Sequence, residues 1–65
     1  MRIDIEKIWE ARVEKDMSIR ELSKLSGLSH TCVWYIETGK RNPTEETLEK
    51  IVTVLGIKQS DVIIG

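Results

Sequence analysis

Trp34 and Tyr35 stand side by side in HTCVWYIETGKRNP, residues 30–43, in a chain with only two tryptophans, one tyrosine and no phenylalanine. The same stretch holds the only histidine and the only cysteine, His30 and Cys32. A histidine beside a cysteine invites a metal or catalytic reading. On a helix, however, residues two apart do not face each other. One Cys and one His cannot close a zinc site, and no carboxylate is placed to orient the imidazole. Nothing cationic stands beside Cys32 except His30, so a redox switch is unsupported by the sequence. The expectation is no enzyme, no metal and no cofactor.

The remaining chemistry belongs to a surface. With 100° per residue, Ser29, Val33, Ile36 and Glu37 cluster on one side of a helix over 30–37. Thr31 and Thr38 point most directly outward, Trp34 and Tyr35 flank them, and His30 and Cys32 lie at the edges. Part of each ring is therefore expected at the surface; the alternative is that both fold over the helix, Trp34 toward the preceding one. Lys40, Arg41 and Asn42 follow at once. Two cations and the N–H groups of a loop suit phosphate oxygens; the alternative for any single lysine is a solvated residue.

Short helices must position these groups. Over residues 4–16, Ile5, Ile8, Trp9, Arg12 and Val13 recur on one helical face. Ser18 and Glu21 form a capping box for a second helix, whose Leu22 and Leu25 are expected to face the core. Gly27 stops it, since glycine takes the left-handed conformation cheaply. Ser29 caps the helix 30–37, so the stretch of about 18–38 is a helix-turn-helix. Thr44 caps a fourth helix with Leu48, Ile51, Val52 and Leu55 on one stripe, ended by Gly56. One last turn should pack Ile57 and Val62 inward. No strand pattern is visible. The fold class is all-α, a compact bundle of five short helices in one domain, 1–65.

Composition sets limits on function. About 40% of residues are hydrophobic and 32% charged, as in a globular protein. No apolar run approaches the roughly 18 residues of a membrane span, and the start lacks a signal-peptide core; the cytoplasm is the expected location. Ten Lys and Arg against eleven Asp and Glu leave a net charge of −1. Nucleic-acid binders are usually basic, so DNA binding would depend on segregation of charge, with acids in the first helix and at Glu45, Glu46 and Glu49.

From Ile8 to about Ile63 the chain resembles the lambda-repressor-like, Cro/cI (Xre) family of helix-turn-helix DNA-binding domains. IWEARVEKDMSIRELSKLSGLS is similar to its first two helices and turn, VWYIETGKRNP to its recognition-helix end and loop, and TLEKIVTVLGI to its fourth helix. The resemblance implies a recognition helix with Val33 and Ile36 on its core side. Gly27 is then the turn glycine, and Ser23 stands where the two central helices approach closely. It also implies a buried ion pair between Arg12 and Glu37, the alternative being two unconnected surface charges. The departures are Ile19, where a phosphate-touching glutamine is usual, Trp9 in the first helix, and a recognition helix without Arg, Lys, Asn or Gln.

Two functions stay open. One is a sequence-specific transcription regulator, expected to be a repressor. It would bind a palindromic operator in double-stranded DNA as a homodimer formed through VIIG and the region of the fourth and fifth helices. Base contacts would come from His30, Thr31, Trp34 and Tyr35, with thymine methyls favoured. Phosphate contacts would come from Arg20, Ser29, Thr38, Lys40, Arg41 and Asn42, with Lys24 a further candidate. The other is a protein-interaction module of the same fold, antitoxin or anti-repressor in type, using Trp34 and Tyr35 against a protein partner.

Overall fold

The computed structural model describes residues 2–64, and all five helices are present. In chain order the elements are β1 (Arg2–Ile3), α1 (Ile5–Glu14), α2 (Ile19–Ser26), α3 (His30–Glu37), α4 (Glu45–Leu55), α5 (Gln59–Val62) and β2 (Ile63–Ile64). Each of the first four helices starts on a side-chain cap: Asp4, Ser18, Ser29 and Thr44 accept from the N–H groups of Lys7, Glu21, Cys32 and Thr47. At Ser18 the box is reciprocal, because Glu21 accepts in turn from the Ser18 N–H. Such caps satisfy helix-end donors that have no partner within the helix.

Nine side chains form the core: Ile8, Leu22, Val33, Ile36, Leu48, Ile51, Val52, Leu55 and Val62. Every helix contributes, so none can bury its apolar side alone. α2 packs on both α3 and α4, and its inward side carries two small residues, Ser23 and Ser26, both buried. Their hydroxyls donate to Ile19 O at 2.7 Å and Leu22 O at 2.6 Å. Small side chains whose polar atoms are satisfied locally can therefore line an apolar contact at little cost.

Three sequence expectations are corrected. Leu25 does not face the core; it is 63% exposed. The inward side of α2 is set by Leu22, Ser23 and Ser26, and Leu25 lies roughly 60° from Leu22 on the side away from both serines. In α1, Ile8 is buried while Trp9 is 50% and Val13 44% exposed. Val13 lies roughly 140° round the helix from Ile8, too far for both to meet the same core. Finally, the chain ends pair as an antiparallel two-stranded ribbon, Arg2 with Ile64 and Ile3 with Ile63, continued by Asp4 N–H donating to Val62 O at 2.7 Å. Strands of two residues carry no legible alternation, so a contact across the whole chain was invisible in the sequence.

Gly27 adopts φ 74° between α2 and α3, and a Cβ there would meet nothing within 4 Å. The cost of a side chain at this position is therefore conformational alone. Gly27→Ala should lower stability by about 1 kcal/mol, or roughly 4–8 °C in Tm. Gly27→Asn should lose less, because asparagine tolerates left-handed backbone. Thermal melts followed by circular dichroism test this, and an unchanged Tm for Gly27→Ala would contradict it.

Candidate nucleic-acid interface

The outer side of α3 is built from its edges. Val33 and Ile36 are fully buried, which anchors the helix and turns His30, Thr31 and Trp34 outward. Tyr35 and Cys32 are half-buried. Ser29 is exposed rather than inward; it lies just before the helix, and its Oγ accepts the Cys32 N–H at 3.0 Å. That bond uses a lone pair of the hydroxyl and leaves its proton available to an acceptor.

Arg12 and Glu37 lock the far end of α3 to α1. The guanidinium donates from Nε to Glu37 Oε2 at 2.8 Å and from Nη2 to Oε1 at 3.0 Å, a two-pronged pair. Its Nη1 donates to Met17 O at 2.8 Å. The side chains are only 12% and 4% exposed. One arginine thus joins α1, the turn before α2 and the end of α3, and it neutralises the one acid of the recognition helix.

The loop after α3 folds back on it. Gly39, at φ 77°, reverses the chain, and the N–H groups of Lys40 and Arg41 both donate to Tyr35 O, at 2.9 and 3.2 Å. Gly39 N–H donates to Ile36 O. Of the loop N–H groups expected to serve phosphate, those of Lys40 and Arg41 instead close the helix end, whose carbonyls otherwise lack partners. Thr38 behaves alike, with Oγ1 donating to Trp34 O at 2.8 Å. Because phosphate oxygens only accept, a Thr38 contact to phosphate would require breaking this bond.

The reversal brings cations onto the aromatics. Lys40 Nζ stands 5.1 Å from the Trp34 ring centroid and Arg41 Cζ 5.8 Å from that of Tyr35, both within cation–π range. The two rings lie 5.4 Å apart, tilted by 50°, a favourable aromatic arrangement. Sequence reasoning treated the aromatics and the cations as separate groups. The signal that joins them is Gly39, placed so that residues 40 and 41 return to the helix turn carrying 34 and 35.

Charge is segregated along the chain. Between Leu22 and Thr44 the only acid is Glu37, against Lys24, Lys40 and Arg41; the other ten acids lie outside this segment. Arg20, Lys40, Arg41 and Asn42 are exposed, and none of these three cations enters an ion pair among the described residues. The described residues contain no group of three or more metal-ligating side chains, and no helix long and apolar enough to cross a membrane.

Comparison with known proteins agrees with this architecture. The family described as helix-turn-helix matches residues 10–60. The HTH-type transcriptional regulator PuuR of Escherichia coli K12 is 34% identical over 55 residues, covering 85% of this chain and 30% of that protein; PuuR of Shigella flexneri matches equally. A protein of Sulfolobus acidocaldarius whose given name places it among HTH-type transcriptional regulatory proteins is 35% identical over 65 residues, covering 100% of this chain and 20% of its own length. The chain thus spans between a fifth and a third of the curated relatives it matches. With a helix-turn-helix at α2 and α3, an exposed recognition side and a match across the core elements, the chain belongs to the Cro/cI-type helix-turn-helix family of DNA-binding transcription regulators.

Proposed function

We propose that this chain is the sequence-specific DNA reader of a cytoplasmic transcription repressor, lying with α3 in the major groove and acting as a homodimer on a palindromic operator. The observation that carries the reading is the cation pair Lys40–Arg41, without an acidic partner among the described residues, held on the exposed end of α3 in a segment whose only acid is buried and neutralised. Arg20, Ser29 and Asn42 extend the phosphate contacts, and Thr38 joins them if it releases the Trp34 carbonyl. His30 and Thr31 read bases by single hydrogen bonds. The ring parts of Trp34 and Tyr35 not covered by cations meet thymine methyls. The dimer surface is the region of α4, α5 and the C-terminal stretch, where Ile64 is 46% exposed; Gly65 lies outside the described residues.

One observation favours a second reading, a protein-interaction module: α3 offers no Arg, Asn or Gln for bidentate base contacts. The two readings separate on salt. Selection from random duplex DNA, followed by gel shifts at 50 and 200 mM salt, should return an A·T-containing palindrome. Its affinity should fall at least roughly tenfold across that range, as several phosphate contacts require. Binding to selected DNA that stays flat with salt would leave the protein-module reading standing in its place.

A further inference from the structure

A groove of about 860 Å³ runs between the C-terminal end of α2, the exposed side of α4 and the start of α5. None of the residues offered for DNA contacts lines it. Its apolar wall is Leu25 and the half-buried Val54. Leu25 is the most exposed large hydrophobic side chain among the described residues. The same α4 that supplies Val54 also lines it with Glu45, Glu46 and Glu49 against the single base Lys50, which is itself 4.0 Å from Glu46. Gln59 closes one end, its amide donating to Glu49 Oε2 at 2.6 Å and to Glu45 O at 3.3 Å, so α5 is held in place beside α4.

We infer that this groove docks an amphipathic helical segment of another protein, with leucine-like side chains on one face and lysine or arginine beside them. An exposed leucine above an apolar wall gains from cover by another apolar group. Three carboxylates lining the groove from α4 select the charge of what covers it, because like charges brought together there are costly. The same acids disfavour DNA. They also disfavour self-pairing across a twofold axis through this groove, which would set the glutamates of one copy against those of the other; the homodimer would then pair through the end of α5 and the C-terminal stretch, outside the groove. A helix laid in a groove with apolar anchors and flanking charges is a recurrent recognition mode.

The inference does not depend on the DNA reading, and DNA binding serves as its control. The test is selection from a displayed library of amphipathic helical peptides with randomised polar positions, using the intact chain as target. The recovered peptides should be net positive. They should shift the NMR signals of Leu25, Val54 and Gln59, and lose at least about tenfold in affinity for Leu25→Ser. Glu45→Lys combined with Glu46→Lys should abolish binding of these peptides and favour acidic ones, while gel shifts with operator DNA stay unchanged and the melting temperature falls by only a few degrees, because lysines replace acids in the first turn of α4. Recovery of no peptide, of acidic or neutral peptides, or of peptides indifferent to Leu25→Ser would overturn the proposal. So would sedimentation showing that the free chain self-associates and that Leu25→Ser abolishes this, since the occupant would then be a second copy.

Discussion

Arg12→Ala is expected to cost about 3–5 kcal/mol, the penalty for stranding one partner of a buried ion pair. Glu37 is only 4% exposed beside Arg12, and it has no other side-chain donor among its described contacts. Such a loss is a large share of the roughly 5–15 kcal/mol that holds a domain together. In a chain of 65 residues it corresponds to a fall in Tm of at least about 15 °C. Glu37→Ala should be nearly as severe, because the guanidinium would keep only the Met17 carbonyl. Replacing both residues, Arg12→Met with Glu37→Leu, should recover most of the loss, since apolar groups of similar size often substitute for a buried pair without penalty. Recovery should stop about 1 kcal/mol short, because Met17 O loses its donor. Urea melts of the two single variants and the double variant measure all of this. A Tm shift under about 4 °C for Arg12→Ala would show that the pair is solvated in solution.

The double variant Lys40→Ala, Arg41→Ala should bind operator DNA roughly hundredfold more weakly at 0.1 M salt. Each phosphate contact contributes a slope of about 0.9 in log affinity against log salt, which at 0.1 M amounts to close to tenfold per contact. The slope itself should fall by about 2. Trp34→Leu with Tyr35→Leu tests how the cations are held. These substitutions keep apolar bulk on α3 but remove the rings over which Lys40 Nζ and Arg41 Cζ lie at 5.1 and 5.8 Å. If the rings position the cations, affinity should drop severalfold on every sequence, and the effect should not add to that of Lys40→Ala, Arg41→Ala. If the rings read thymine methyls instead, the preferred sequence should change and the two effects should add. Gel shifts of both variants and their combination at several salt concentrations decide it; an unaltered salt slope in Lys40→Ala, Arg41→Ala would remove these residues from the phosphate contacts.

The protein-module reading rested on the Trp34–Tyr35 pair, on Ile19 and on the net charge of −1. The fold weakens that premise without dissolving it. The rings are accompanied by cations from the following loop, and one face of each is already occupied. An interface of that kind is basic and aromatic together, which suits a polyanion better than the chain's net charge suggests.

The sequence alone determined what local chemistry encodes. Ser18 with Glu21, Ser29, Thr44, Gly27 and Gly56 set the ends of the helices, because a cap or a left-handed turn is satisfied by residues a few positions away. The stripe of Leu48, Ile51, Val52 and Leu55 marked the buried side of α4, and all four are buried. The Arg12–Glu37 pair came from likeness to a family rather than from any local rule. Tertiary structure decided whatever depends on which side of a helix finds a neighbour. Leu25 looked like a core residue until packing of α2 on α3 and α4 turned Leu22, Ser23 and Ser26 inward instead. Trp9 and Val13 lost theirs because α1 meets the core through Ile8. The terminal ribbon and the return of Lys40 and Arg41 over Tyr35 and Trp34 arose only when the chain closed on itself, since composition and periodicity do not record contacts between its ends or across a loop.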